Sequence, residues 1–195
     1  MTTKNSLKLR KATKKDALAL AELINLAGDG LPVFLWERMA EKGESVWDVG
    51  VRRANREEGG FSYRNALCLE KDNQVAACLI DYPIGDTPEE IDTETTPPLF
   101  VPLMELENKA LDSWYINVLA TYQNFQRQGL GLKLLEAAQK RADECGKARL
   151  SLIVDDSNLD AQRLYERFGF RQKASRPMVK EGWINPGKNW ILMVK

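Results

Sequence analysis

The run Gln126-Arg127-Gln128-Gly129-Leu130-Gly131 carries the residue types of a phosphate cradle. Its two glycines stand where a strand-like segment, Trp114 to Ala120, gives way to an amphipathic stretch from about Leu130 to Cys145. At such a junction the missing Cβ lets backbone approach a ligand, and the unpaired N–H groups of the first helical turn face it with the positive end of the macrodipole behind them. A pyrophosphate suits that chemistry. The run is not a Walker loop, because no Gly-Lys-Ser/Thr ending follows. Nor is it a dinucleotide fingerprint, because Lys133 or Leu134 stands where the third glycine would. On the glycines alone, a tight strand-to-helix turn without a ligand explains the run equally well.

What is missing narrows the remaining chemistry. The 195 residues include no histidine, which removes Ser-His-Asp and Cys-His catalysis, histidine bases and histidine metal ligands. Proton transfer falls to Asp, Glu, Tyr, Lys, Cys or water. Cys68, Cys78 and Cys145 are odd in number and far apart, which argues against a disulfide framework or a CxxC metal site and fits small buried hydrophobes in a reduced chain. The 28 basic and 28 acidic side chains cancel, so no long-range field draws the chain to nucleic acid or an anionic membrane. Met1 to Arg10 lacks an apolar core of signal-peptide length, and no apolar run approaches membrane-spanning length. The expectation is a soluble, cytoplasmic protein without a metal. A 44% hydrophobic content is enough to bury one sizeable core, and one domain over 1–195 is expected.

The elements that must position the glycine turn follow from periodicity. Leu7 to Ala12 alternates as a half-buried strand does, and Thr13 with Asp16 three residues on predicts a helix cap. The helix runs to about Asn25 with Ala17, Leu20, Ala21 and Ile24 on one face, and Gly28, Gly30 and Pro32 end it. Two helix-like stretches lie between Val33 and Glu58, the second capped by Ser45 with Asp48. Ala66 to Leu69 and Val75 to Tyr82 read as a hairpin joined through Lys71-Asp72-Asn73. The segment 83–112 reads as a loop or flap insertion, rich in proline and carrying Asp86, Glu89, Glu90, Asp92 and Glu94. Such a segment is either a solvated surface or a gate for substrate. Beyond it come a strand from Trp114, the glycine turn, a helix with Leu134, Leu135, Ala138, Ala142 and Cys145 as its buried stripe, a glycine stop at Gly146, and a strand from Arg149 to Val154. That is a βαβ unit with a parallel pair. A short helix from about Leu159 to Phe168 and a strand from Trp190 to Val194 close the chain.

Tyr115-Ile116-Asn117-Val118-Leu119-Ala120-Thr121, followed after a spacer by Gln126-x-x-Gly129-x-Gly131, resembles the acetyl-CoA motif of the GNAT superfamily of N-acetyltransferases. Asn158-x-x-Ala161-x-x-Leu164-Tyr165-Glu166-x-x-Gly169-Phe170 resembles the second signature of the same superfamily. The resemblance implies an α/β (α+β) fold: a mixed, twisted sheet of six to seven strands flanked by helices, whose central parallel strands splay apart. It implies that acetyl-CoA is the acetyl donor and that its contacts come from Leu119, Ala120, Thr121, Gln126, Arg127, Gln128, Gly129, Leu130, Gly131, Asn158, Ala161 and Tyr165. The backbone of Leu119 and Thr121 would pair with the pantetheine arm like an added strand.

Acetyl transfer to an amine needs an unprotonated nucleophile, a stabilised oxyanion and a proton for the thiolate. A backbone N–H near Leu119 suits the oxyanion. The resemblance sets Tyr165 beside the sulfur as the acid, whereas its spacing from Ala161, Leu164 and Phe168 also suits a core aromatic. Asn158 reads both as helix cap and as a polar contact to the cofactor arm. Where the superfamily often has a glutamate base, this chain has Tyr115, with Asn117 two residues on. Glu105, Glu107 and Asp112 lie upstream as groups able to act through water, or as plain surface charges.

The implied function is transfer of an acetyl group from acetyl-CoA to the primary amine of a small molecule, by direct attack in a ternary complex. The alternatives are acetylation of a protein N-terminus or lysine, and a non-catalytic acyl-CoA-binding module. The acidic cluster suggests a cationic acceptor. The implied partners are a small amine and, as a possible assembly, a homodimer, with no nucleic acid and no membrane.

Overall fold

Leucines alternating with basic residues over Leu7–Lys11 make the edge strand β1. Both of its leucines, Leu7 and Leu9, stay exposed. The structure is a computed structural model and describes residues 7–195, so the reading of Met1–Arg10 falls partly outside it. The chain divides into two compact units. One holds the described residues up to Asp81 with Asn117–Leu134, the other Tyr82–Ile116 with Leu135–Lys195.

In the first unit the Thr13 N–H donates to Asp16 Oδ2 at 2.7 Å, and Arg10 grips the same carboxylate through two nitrogens at 2.8 Å each. This capping box opens a single 3-10 turn, Lys14–Asp16, that leads into α1, Ala17–Ala27. The predicted stripe Ala17, Leu20, Ala21 and Ile24 is buried. Pro32 does more than end α1: it sits in the first turn of α2, Leu31–Glu37, where a missing N–H leaves no helical bond unmade. Helix α3, Val46–Ala54, starts where the Asp48 N–H donates to Ser45 Oγ at 3.2 Å and the Ser45 N–H returns to Asp48 Oδ2 at 3.0 Å. Strands β2, Ala66–Lys71, and β3, Gln74–Pro83, pair antiparallel. Their two-residue turn holds Asp72 and Asn73 at φ 53° and 63°, the left-handed pair that a twisted hairpin requires. The stripe of α1 packs with Trp36, Val49, Cys68 and Cys78 into the core of this unit.

In the second unit, segment 83–112 contains helix α4, Val101–Glu107. Pro102 occupies its first turn and Leu106 is fully buried. A run that composition reads as loop therefore ends in an anchored turn of helix. Its backbone is tied at both ends: Ile84 N–H donates to Ser113 O and Asp112 N–H to Gly85 O, each at 2.8 Å. Asn108, just past α4, accepts from the Glu89 N–H at 2.9 Å and donates to Glu89 O at 2.8 Å.

Strand β4, Trp114–Thr121, and helix α5, Leu130–Glu144, have residues in both units. Strand β5, Leu150–Asp155, is buried on both faces as its apolar run predicts. Helix α6, Leu159–Phe168, follows, with Gly169 at φ 110° ending it. The seven strands, counting β6, Arg171–Pro177, and β7, Asn189–Val194, run in the order β1-β2-β3-β4-β5-β7-β6. The β4/β5 pair is parallel, and the β1/β2, β2/β3, β5/β7 and β6/β7 pairs are antiparallel. The mixed sheet and its parallel β4/β5 pair bear out the expected fold. Strand β6 is absent from the sequence reading, because its polar residues carry no apolar alternation and its ladder with apolar β7 supplies the pairing. Cys145 corrects the predicted stripe of α5: it is exposed, since the helix ends at Glu144 and the chain turns away at Gly146, φ 70°. Gly187 lies so close to Asp155 that a Cβ would come within 2.0 Å of its carboxylate oxygen. Among the described residues no single helix is long and apolar enough to cross a membrane.

Candidate active site

The glycine turn closes β4 and opens α5. Gly129 has φ 77°, and a Cβ built there meets no atom within 4 Å. Backbone conformation, not crowding, holds this position to glycine, and its open side leaves room for a ligand to approach. Arg127 is also left-handed, at φ 58°, a strain of about 1 kcal/mol of the sort retained at binding turns. The first helical N–H to find an intrahelical acceptor is that of Lys133, to Gly129 O at 3.2 Å. The amides of Leu130, Gly131 and Leu132 ahead of it are the orphan donors of the helix start. Leu130 is buried and anchors the turn, Gly131 is half-buried, and Gln126, Arg127, Gln128 and Gly129 are exposed.

Two glutamines brace the turn. Gln126 Nε2 donates to Thr121 O at 3.4 Å, and Gln128 Nε2 to Asn124 O at 3.3 Å. Gln128 Oε1 also accepts from Lys71 Nζ. Lys71, at the end of β2, carries no local sequence signal for this contact, because it lies 57 positions from Gln128.

The parallel ladder pairs Trp114 with Leu150, Tyr115 with Ser151 and Ile116 with Leu152, and there it stops. Beyond it, over Asn117–Thr121, β4 continues without a β5 partner. Leu119 and Thr121 are half-buried and Ala120 is buried.

The three carboxylates upstream of β4 separate by environment. Glu105 pairs with Arg176 of β6. Asp112 is exposed, and Lys147 at 2.6 Å holds its carboxyl below the usual range. Glu107, at the last position of α4, is different. Burial raises its carboxyl to about 7, the negative charge of Glu89 adds to this, and a hydrogen bond from the Tyr115 hydroxyl partly offsets it. Tyr115 is fully enclosed, and burial pushes its phenol well up. The half-buried Tyr82 ring meets the Tyr115 ring edge-on, with centroids 5.7 Å apart. The acidic cluster Asp86, Glu89, Glu90, Asp92 and Glu94 is wholly exposed. Asp92 is occupied in its own turn, accepting from Thr95 Oγ1 at 2.7 Å and from the Glu94 N–H at 2.9 Å.

In the second unit Asn158 caps α6, its Oδ1 accepting from the Ala161 N–H at 3.1 Å. The capping half of its double reading is thus in place. Tyr165 is the one buried residue of α6 and rests edge-on against Phe170, 5.9 Å between centroids. Burial alone raises its phenol to about 12. Ala161, Leu164 and Phe168 are only half-buried.

Residues 34–170 match the acetyltransferase (GNAT) family. No curated protein sequence matches the chain. Among solved structures, an acetyltransferase shares 23% identity at a TM-score of 0.66, covering 96% of this chain and 98% of that one. The N-acetyltransferase of Staphylococcus aureus Mu50 shares 19% at 0.63, covering 96% and 100%. A GNAT family acetyltransferase from Elizabethkingia anophelis with acetyl-CoA bound shares 16% at 0.61, covering 98% of each chain. At such identities these likenesses concern the fold. The family match takes in the end of β4, the glycine turn, α5 and α6 and covers most of the chain, which therefore belongs to the acetyltransferase (GNAT) family.

Proposed function

We propose that this chain transfers an acetyl group from acetyl-CoA to the primary amine of a small molecule, by direct attack in a ternary complex. One observation carries the reading: in a chain of this family, Gly129 is left-handed and open-faced at the head of α5. A diphosphate suits that cradle, because three orphan amides and the helix dipole favour an anion there. The acetyl-CoA bound to the Elizabethkingia anophelis relative supports the choice of donor. Bound acetyl-CoA supplies the thioester carbonyl.

The chain's own residues do the rest. The amides of Leu130 and Gly131 hold the phosphates, with Gln126, Arg127 and Gln128 shaping the turn. Leu119, Ala120 and Thr121 offer backbone groups on a strand that has lost its β5 partner, which suits β-type pairing with an extended amide chain. A backbone N–H near Leu119 steadies the oxyanion. Asn158 and Ala161, which the resemblance assigns to the cofactor arm, close the first turn of α6. Tyr165 donates a hydrogen bond or proton to the departing sulfur, and its phenol, raised to about 12, stays protonated for that task at neutral pH.

Calorimetry with acetyl-CoA, then thiol release over a panel of small amines with product masses, tests this. The expected result is saturable cofactor binding and a product 42 Da heavier than the amine, about the mass of an added acetyl group. A protein that binds no acetyl-CoA overturns the reading. Cofactor binding with turnover only on peptide N-termini or lysines moves the acceptor to proteins, and binding without turnover makes the chain an acyl-CoA-binding module.

A further inference from the structure

The proposed reaction leaves open which group deprotonates the amine. A primary ammonium ion has a pKa near 10, and it cannot attack a carbonyl until it gives up a proton. Of the three carboxylates ahead of β4, Glu105 is neutralised by Arg176 and Asp112 by Lys147. Lys147 holds the Asp112 carboxyl below its usual range, and the Glu105 carboxylate is taken up in its own ion pair.

Among the described residues Glu107 has no such cation. Its neighbours are the phenol of Tyr115 from β4, the half-buried Tyr82 from β3, and the exposed Glu89 from the preceding loop. Arg176 of β6 is taken by Glu105. The Tyr115 hydroxyl fixes the Glu107 carboxylate while the residue keeps part of its surface open, so one oxygen is steadied and a path to water remains.

Its position along β4 matters as much. Tyr115 faces Ser151 one step before the parallel ladder ends at Ile116 and Leu152. Alternation places Tyr115, Asn117, Leu119 and Thr121 on one face of β4, and the last three are its half-buried positions. Tyr115, the partner of Glu107, thus begins the row of β4 positions that ends in Leu119 and Thr121, whose backbone is proposed to pair with the donor's arm.

We propose that the Glu107 carboxylate, held by the Tyr115 hydroxyl at the end of the β4/β5 ladder, takes the first proton from the acceptor's ammonium group. This rests on the acetyltransferase reading above. The proton account closes without a further reactant. Glu107 takes one proton from the ammonium, and the freed nitrogen lone pair forms the C–N bond. The C–S bond breaks with its electron pair on sulfur, the second nitrogen proton passes to that sulfur by way of Tyr165, and Glu107 returns its own proton to water. Glu107 is the catalytic group, and Tyr115 positions it.

The test is the pH profile of kcat/KM with acetyl-CoA and the fastest of spermidine, tyramine and L-lysine amide. For the unmodified protein we expect a rise with pH that levels near 7. Glu107→Gln should lose at least about a hundredfold, together with that inflection, leaving only a rise toward the amine's own pKa near 10. Tyr115→Phe removes a hydrogen bond that favours the ionised carboxylate, so its inflection should move up, a change that a merely structural tyrosine would not cause. Glu107→Gln that keeps the rate or the inflection overturns the proposal, and acetyl-CoA binding and amine turnover by the unmodified protein would still support the function. Should Glu107→Gln fail to fold, an unmoved inflection in Tyr115→Phe overturns it. No turnover of any amine by the unmodified protein removes the small-amine reading and this proposal with it.

Discussion

The Glu107 carboxyl makes stability depend on pH in a way that needs no acceptor to be known. Burial raises it from 4.5 to about 7, so the folded state holds a proton that the unfolded chain has released. A group raised in this way contributes stability that is fully present below about 4.5 and is lost as pH rises through about 7. At about 1.4 kcal/mol per pKa unit the whole span comes to about 3 kcal/mol. The water contact that the residue keeps lowers this to about 2 kcal/mol.

The perturbation is Glu107→Gln, which retains an oxygen for the Tyr115 hydroxyl and removes the titration. Urea unfolding of both proteins at pH 5 and at pH 8.5 gives the assay, because every other group titrating in that window cancels in the difference between them. Tyr82 and Tyr115 are pushed up out of the window and contribute nothing to it. Relative to the variant, the unmodified protein should lose about 2 kcal/mol between the two pH values. A difference flat to within about 0.5 kcal/mol, the ordinary noise of a surface substitution, would show that the carboxylate is not desolvated, and the reasoning from burial would be wrong.

Acetyl-CoA at a hundred times its dissociation constant should add about 2.7 kcal/mol to the unmodified protein. Gly129→Val should abolish that gain in a thermal-shift titration, because a β-branched residue at φ 77° both strains the turn and fills its open face. Gly187→Ala should lower the urea midpoint by the equivalent of about 1–3 kcal/mol, since its Cβ would press on Asp155 at 2.0 Å; an unchanged midpoint would mean that the loop yields freely. Ser45→Ala should cost about 1 kcal/mol in the same assay through the lost cap of α3. Tyr165→Phe keeps the ring against Phe170 and should leave cofactor affinity intact while turnover falls about a hundredfold. Turnover at the unmodified rate, with chemistry rate-limiting, would make Tyr165 a core aromatic only.

Signals that act over a few residues were legible in the sequence. The boxes at Thr13 and Ser45, the Asp72-Asn73 turn, the Asn158 cap and the glycine turn are all settled within one helical turn or one hairpin, and each is found where its residues stand. What depended on distant partners was not. Helix α4 hides in a proline-rich acidic segment because two apolar side chains, Leu99 and Leu106, are enough to anchor it once buried. Strand β6 is polar apart from Ala174 and Pro177 and exists by pairing with β7. The choice among Glu105, Glu107 and Asp112 could not be made from spacing, since it turns on Arg176 and Lys147, which lie 71 and 35 positions along the chain from the carboxylates they neutralise.

The lack of histidine makes that choice consequential. Without imidazole, a side chain titrates near neutrality only where a carboxyl is raised or a thiol, phenol or amine is lowered. Burial here works against the second route: it pushes up the thiols of Cys68 and Cys78 and the phenols of Tyr82, Tyr115, Tyr122 and Tyr165, all away from neutrality. The same burial acts in the useful direction on a carboxyl, because a carboxylate and a phenolate both lose their charge on desolvation, and only the carboxyl begins below 7. A cation beside a carboxylate acts the other way and lowers it, as at Asp112, whereas a neutral phenol steadies it at small cost. Pairing Glu107 with Tyr115 is therefore the arrangement by which a histidine-free site obtains a base that is mostly ionised at pH 7.5 and still basic enough to take a proton from an amine.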